Sequence, residues 1–442
     1  MKKLSLAYGK RHKEINLSSL GRYEIFSPRN YKPEGGEESI IRKSVDHPIG
    51  MPSLLPLLRR KRPKRITVVL SDVTRVTGSA VFLPLLMEIW DEAGIAPESV
   101  TYLIAAGIHP PCSREQVESL FGISSSSPLA VNDFKPPYRY ILSNGSLVVQ
   151  HNSRDDKELT EAGKFLDGAV LMINKYAMEA DFLLLTGAIT THYLAGFGGG
   201  RKAILPGISS YESCLGLHRL SLYARRHRKN TCASLGTLRG NPLHLRIQEA
   251  ARIVKPDFLL NTLCDEEKKI IHAVSGHWDL AFKEGTRFLR KNFRSGTDAL
   301  FDAAVVSCGG FPKDINFIQS HKSLDNAVGL VKDDGALLLM ADCAEGIGNP
   351  TFLNWFRFGS EREFVKALKA DFEINGQTAL STFLKCARVR VSMITSLGED
   401  ALRKMNIQKV SSVEEFMEKE KLSRKRVALV PYGASIWIGR RE

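Results

Sequence analysis

Several apolar runs in this chain end at residues able to handle protons or anions. A run at 66–70 leads into Ser71-Asp72-Val73-Thr74-Arg75, and one at 100–105 leads into Gly107-Ile108-His109. A third, at 182–185, reaches His192 through a short loop. An imidazole has an ordinary pKa of about 6.5, so His109 and His192 are candidates for taking up and returning a proton near neutrality. The segment from His192 to Lys202 (HYLAGFGGGRK) holds Gly196, Gly198, Gly199 and Gly200 ahead of Arg201 and Lys202. Such a stretch lets backbone N–H groups approach an anion closely, with basic side chains beside them. It is neither a P-loop nor a dinucleotide fingerprint, because Ala203 follows the lysine and Arg201 stands where the last glycine would be. Gln319 and Lys322, three residues apart at the opening of a helical pattern, share a helix face. An amide beside an ammonium suits a carboxylate that also carries a hydroxyl. Each residue alone reads as an ordinary loop or solvated helix position; their joint placement after strands points to a site.

The elements that must hold these residues alternate between strand and helix. Strands are expected at 66–70, 100–105, 182–185, 258–260 and 270–274, with helices at 79–94 and from about Ser113. Alternation of this kind predicts an α/β fold with a doubly wound, mostly parallel sheet, buried on both faces. The carboxyl ends of parallel strands face one crevice, so Asp72, Arg75, His109 and His192 would converge there. A second series has strands at 303–307, 336–340, 389–394 and 427–430 and helices at 320–331, 361–371 and 413–420. The charged, glycine-bearing stretch 285–297 reads as a hinge. The expected division is an N-terminal domain over 1–292, a smaller α/β domain over 298–425, and a strand and tail over 426–442 returning to the first, with the active site in the cleft between domains. The serine run at 124–127 marks a loop.

A length of 442 residues calls for two domains, and 43% hydrophobic with 25% charged residues is a globular balance. No apolar stretch approaches the roughly 20 residues that span a bilayer, and the basic N-terminus turns charged again before an apolar core forms. Seven scattered cysteines with no C-x-x-C spacing read as reduced thiols, hence a cytoplasmic protein without a disulfide framework. The net charge of +14 includes the run Arg59, Arg60, Lys61, Arg62, Lys64 and Arg65. No aromatic residues interleave there for base stacking, so a solvated connector is expected and not a nucleic-acid surface.

Taken together, Asp46-His-Pro-Ile-Gly50, Ser71-Asp72-Val-Thr-Arg75, Gly107-Ile-His109, the His192–Lys202 segment, His218, and Gly309-Gly-Phe-Pro-Lys-Asp followed by Gln319 and Lys322 resemble the nickel-pincer lactate racemase family. The resemblance runs through nearly the whole chain. It implies a racemase or epimerase of α-hydroxyacids, served by cofactor-biosynthesis enzymes and needing neither nucleic acid nor membrane. The implied cofactor is a nicotinate-derived mononucleotide whose two sulfur-bearing arms grip nickel, one arm joined to a lysine as a thioamide. Lys202 matches that lysine and His218 the histidine that ligates nickel; a soft, nearly planar donor set plus imidazole suits Ni(II). His109 and His192 match a pair of general bases, one for each face of the substrate. Arg75, Gln319 and Lys322 match substrate-holding residues. Asp72, Thr74 and the loop Gly198, Gly199 and Gly200 are assigned to seating the nucleotide.

This chain departs from the family pattern in three places. Ile318 stands where lactate-acting members carry an aromatic residue, Arg201 precedes the tethering lysine, and an insertion occupies 128–149, between the stretch 131–133 and His151. A longer sugar acid is thus an alternative substrate, with Asn316, His321 and Trp355 available to it. A different class, a divalent-metal hydrolase built on His109, His192 and His218, requires those histidines to cluster with a carboxylate.

Overall fold

A computed structural model describes residues 3–29, 31–123 and 138–439; the serine run and the stretch 131–133 lie outside the described residues. The chain divides into two compact units. One comprises Tyr31–Ser221 and Thr231–Arg290, the other Met1–Asn30, Leu222–Asn230 and Lys291–Glu442.

The first unit is built on a seven-stranded sheet. Edge to edge it runs Ile270–Gly276, Phe258–Cys264, Phe182–Ala188, Ile66–Ser71, Val100–Ala105, Leu147–Gln150 and Arg139–Ile141. The five inner strands are parallel, and each edge strand is antiparallel to its neighbour. Their near-continuous apolar runs are explained by burial on both faces. Val68, Leu70, Tyr102, Ile104, Leu184 and Leu260 join one core with helices Glu37–Asp46, Leu54–Lys61, Ser79–Glu92 and Arg114–Leu120. Val69, Leu103, Leu183, Leu185 and Leu259 alternate with them and are also buried. Register sets the ends level: Ser71 lies beside Ala105, and Ala188 beside Thr262. The chain therefore leaves toward Asp72, His109 and His192 from one sheet edge.

The other unit carries a six-stranded, wholly parallel sheet in the order Ile407–Lys409, Arg390–Ile394, Val331–Met340, Phe301–Ser307, Arg426–Val430 and Arg22–Ile25. Its core gathers Val305, Leu338, Met340, Val427 and Leu429 with Phe416 and Leu422.

The structure differs from the sequence expectation at several boundaries. The stretch 285–297 is not a glycine hinge: helix Trp278–Phe293 covers most of it, and the change of unit falls inside that helix. Trp278, Ala281, Phe282 and Gly285 form a buried stripe at helical spacing, while Lys283 and Arg287 are exposed, and Asp279 at the flank of the stripe pairs with Lys283 at 2.7 Å. The tail does not return to the first unit, because Arg426–Val430 pairs with Phe301–Ser307 and with Arg22–Ile25 from the N-terminus. Helix Phe317–Ala327 closes before Val331, which already begins a strand. The basic run is a connector only over 62–65, between helix Leu54–Lys61 and strand Ile66–Ser71. Arg59, Arg60 and Lys61 close helix Leu54–Lys61, where cations complement the helix dipole, and Arg65 pairs with Asp181 at 3.4 Å.

One buried residue ties a helix to the loop after His192. Asn241 is fully inaccessible, and its Oδ1 caps helix Pro242–Val254 by accepting from the Leu243 and His244 N–H groups at 3.0 and 3.3 Å. Its Nδ2 donates to the Leu194 and Thr237 carbonyls at 2.7 and 2.9 Å. Asn241→Ala is expected to cost about 2–4 kcal/mol of stability, combining a lost cap with two unpaired buried carbonyls. Urea unfolding followed by fluorescence and circular dichroism measures it; a loss below about 0.5 kcal/mol would mean that the network carries no load.

Candidate active site

The rim where the parallel strands end is organised by Asp72. This carboxylate is only 3% exposed. Its Oδ1 accepts from the Thr74 N–H at 3.1 Å and from the Thr74 hydroxyl at 2.6 Å, and its Oδ2 lies 2.7 Å from His109 Nδ1. Burial alone would raise the pKa of Asp72, but the bonds from His109 and Thr74 and the nearby charges of His109 and Arg75 leave it below the ordinary carboxylate value. The carboxylate thus stays ionised and fixes the proton of His109 on Nδ1. Nε2 then presents its lone pair, the arrangement of a general base. The sequence assigns Asp72 and Thr74 to nucleotide seating; the structure engages both in holding His109. The Asp72-x-Thr74 spacing at a strand end, an Asx-type turn, is the signal that could have shown it.

The His109 loop is locked to the loop bearing Lys202. The Gly107 N–H donates to the Gly207 carbonyl at 2.8 Å, and Gly107 takes φ +58°, with room for a Cβ limited by the Pro206 carbonyl 3.3 Å away. Lys202 lies in a short 3-10 turn, Gly200–Ala203. Lys202 is half-buried, and burial of its amine, followed by the charges of Arg75 and Arg201, pulls its pKa well below the ordinary lysine value, a shift toward the nucleophilic form. Arg75 is exposed, and its charge bears on both Asp72 and Lys202.

The glycines between His192 and Lys202 serve packing more than anion binding. A Cβ on Gly200 would stand 2.2 Å from Leu259 Cδ1, and one on Gly199, at φ +127°, 2.9 Å from Ile189 Cδ1. The Gly198 N–H already donates to the Thr190 carbonyl at 2.8 Å, and the Gly200 N–H to Asn261 Oδ1 at 2.7 Å. The expectation that these N–H groups face an anion is corrected for Gly198 and Gly200, because the loop carbonyl of Thr190 takes one and the Asn261 amide of the sheet the other.

His192 is held differently from His109. It lies in a two-residue strand, Thr191–His192, paired with Gly196–Phe197, and its Nδ1 accepts from the Leu194 and Ala195 N–H groups at 3.2 and 3.0 Å. A neutral ring bonded in this way carries its proton on Nε2, so it presents a donor where His109 presents an acceptor. His151, which no sequence reading placed, is buried, with Nε2 3.0 Å from the Ser209 carbonyl and Nδ1 3.4 Å from Asn174 Nδ2. Burial pulls its imidazole down to about 4, so it braces the segment beyond Lys202 as a neutral ring.

His218 stands half-buried in the last turn of helix Tyr211–Arg219. That helix is anchored to the Lys202 loop where the Cys214 thiol donates to the Pro206 carbonyl at 3.3 Å. Gln319 and Lys322 belong to the other unit, on helix Phe317–Ala327, and meet through Nζ–Oε1 at 2.6 Å. The polar residues available to a longer substrate are otherwise engaged. Asn316 Oδ1 caps that helix at 3.0 Å from the Gln319 N–H; His321 is 2% exposed and bonded to Lys385 at 3.0 Å; Trp355 Nε1 donates to Glu373 at 3.2 Å. A cleft of about 540 Å³ beside Asn316 carries Glu345, a charge unfavourable to an anionic substrate. Among the described residues, no group of three or more His, Cys, Asp or Glu side chains is placed to hold a metal ion, so the hydrolase alternative lacks the cluster it requires.

Comparison with known proteins bears on the same residues. The family model of the lactate racemase N-terminal domain matches residues 8–231, and that of the lactate racemase C-terminal domain matches 297–438. A lactate racemase of Thermoanaerobacterium thermosaccharolyticum is 32% identical over 369 residues, covering 83% of this chain and 80% of that protein. A lactate racemase of Lactiplantibacillus plantarum is 32% identical over 324 residues, covering 73% of this chain and 70% of its own length. The structure of the T. thermosaccharolyticum lactate racemase apoprotein superposes with a TM-score of 0.84 at 27% identity, covering all of both chains. A crystal structure from Thermotoga maritima, 19% identical with a TM-score of 0.65 over 93% of this chain and all of its own, shares the fold. With both domain models matched in order and this two-unit α/β architecture, the chain belongs to the lactate racemase family and is an isomerase of the racemase type.

Proposed function

We propose that this chain inverts the α-carbon of a short α-hydroxyacid, lactate first among candidates, using a nicotinate-derived nickel pincer mononucleotide tethered to Lys202. The observation that carries the reading is that the loop of His109, whose imidazole Asp72 orients, is hydrogen-bonded from Gly107 to Gly207 in the segment just beyond Lys202, whose amine is pulled well below the ordinary lysine value by burial and by Arg75 and Arg201. The donor set suits such a cofactor. A neutral amine is what an acyl-type linkage requires, and His218 offers the single imidazole that a cofactor bearing its own sulfur donors needs. When bound, the cofactor supplies a hydride acceptor and donor beside the substrate α-carbon.

The residues of the chain then have distinct tasks. His109 Nε2 takes the hydroxyl proton, while Asp72 stabilises the imidazolium that forms. His192 returns a proton to the oxygen once the opposite face has been presented only as an imidazolium, since loss of the Nε2 proton from the neutral ring would leave an imidazolate; reaching that form costs its Nδ1 bonds to Leu194 and Ala195. Serving as base in the reverse direction requires it to give up its Nδ1 bonds to Leu194 and Ala195. Arg75, Gln319 and Lys322 hold the carboxylate while the α-carbon inverts. Lactate is favoured over a longer sugar acid because His321 and Trp355, which would read extra hydroxyls, are engaged. Cofactor-biosynthesis enzymes are implied partners. The seven scattered cysteines, without C-x-x-C spacing, suit a reducing cytoplasm, and no helix among the described residues is long and apolar enough to cross a membrane.

Protein produced together with cofactor-biosynthesis enzymes should carry a mass adduct at Lys202 and one nickel per chain. Both should vanish in Lys202→Ala, and His218→Ala should release nickel; an active protein without the adduct would end the proposal. Asp72→Ala should lower kcat by about 10²- to 10⁴-fold with nickel retained, since it removes only the orienting group of the base. A loss below about threefold would remove Asp72 from the reaction. Nitrogen NMR of the apoprotein at neutral pH should find the His109 proton on Nδ1 and the His192 proton on Nε2; the same tautomer in both rings would contradict the division of tasks.

A further inference from the structure

Beneath the glycine loop lies a set of buried donors that the proposed reaction does not use. Arg201, between Gly200 and Lys202, is completely inaccessible to solvent. Its guanidinium packs on Phe282, with Cζ 3.6 Å from the ring centroid. Its Nε, Nη1 and Nη2 have no hydrogen-bond partner among the described residues. Two other side chains of the same region have the same lack. Asn261 commits Oδ1 to the Gly200 N–H at 2.7 Å, which fixes its amide and leaves Nδ2 buried and unpartnered. His244, stacked near Phe282 with centroids 6.2 Å apart, has a buried, unpartnered Nδ1 and lies within reach of the Arg201 charge. The carboxylate that acts on Arg201, Asp279, is already bonded to Lys283 at 2.7 Å and to Gln248 at 2.9 Å.

Buried polar groups are ordinarily satisfied, and a buried cation without partners is costlier still. The types of these orphans say what is missing. A guanidinium and an amide NH2 only donate, and an imidazole Nδ1 donates when it carries the proton. A water molecule would need acceptors for its own two hydrogens, and this set offers none except the imidazole in its other tautomer. An anion accepts from several donors at once and offsets the charge. We propose that Arg201, Asn261 and His244 form a buried site for a small inorganic anion of the chloride class, directly beneath the loop that carries Lys202. The site is independent of the tether, and Lys202 remains unmodified in its test.

Apoprotein crystals soaked in sodium bromide should give an anomalous peak within about 3.5 Å of the Arg201 guanidinium. In solution, chloride added to apoprotein in sodium gluconate at constant ionic strength should raise the Tm by about 2–4 °C with saturation. Arg201→Met, which keeps the packing on Phe282 and removes the charge, should fold and lose that response. The proposal fails if no bromide is found beside a buried Arg201, or if Arg201→Met and the unaltered protein respond equally to chloride. It also fails if nicotinate mononucleotide displaces the bromide, since the acceptor would then be that molecule's own acidic group.

Discussion

A carboxylate almost closed off from water fixes the geometry on which the rest of the rim depends. Asp72 is tolerable there only because every part of it is used: one oxygen takes two bonds from Thr74, and the other takes the proton-bearing nitrogen of His109. Replacing hydration by fixed donors keeps it ionised despite burial. An ionised Asp72 then determines the tautomer of His109, and through it the direction in which a proton can move. The strand arrangement makes this possible, since Ser71 and Ala105 lie side by side in a parallel pair and the loops after them emerge together.

A second constraint acts beneath Lys202. The chain turns tightly between His192 and Ala203 and packs directly on the sheet, so that Gly199 and Gly200 have no room for side chains. Packing the loop this closely carries Arg201 and the Lys202 amine away from water. Burial and the charges of Arg75 and Arg201 pull the Lys202 pKa well below the ordinary lysine value, so packing and neighbouring cations shift that amine toward its reactive form. His151 and Asn241 support the same region from either side, each with its polar atoms committed to backbone groups.

Much of this architecture is legible in the chain itself, for identifiable reasons. Strands buried on both faces announce themselves as apolar runs, and the residues at 66–70, 100–105 and 182–185 indeed lead into the rim. What is not legible depends on partners distant in sequence. Arg22–Ile25 is a short, half-exposed strand, and its pairing with Arg426–Val430, together with Leu6, Tyr8 and Ile15 in the core beside Val305 and Leu338, places the N-terminal segment in the six-stranded unit. The charged stretch after Gly285 looks like a hinge when its composition is weighed alone, yet the spacing of Trp278, Phe282 and Gly285 already carries the helix through it. The glycines were legible as a tight loop but not as a packed one, since the atoms that exclude a Cβ, in Ile189 and Leu259, come from elsewhere in the chain.

The same distinction bears on substrate size. By residue type, Asn316, His321 and Trp355 could read the hydroxyls of a long sugar acid, and nothing in their spacing argues otherwise. The partners of the last two do. An imidazole enclosed with Lys385 and Asp325 and an indole already donating to Glu373 would each have to break a bond to gain one. Since a buried hydrogen bond is worth little net but costs much when left unmade, exchanging one for another yields no discrimination in favour of a longer ligand. His321 and Trp355 therefore give no reason to prefer an extended ligand over a short one.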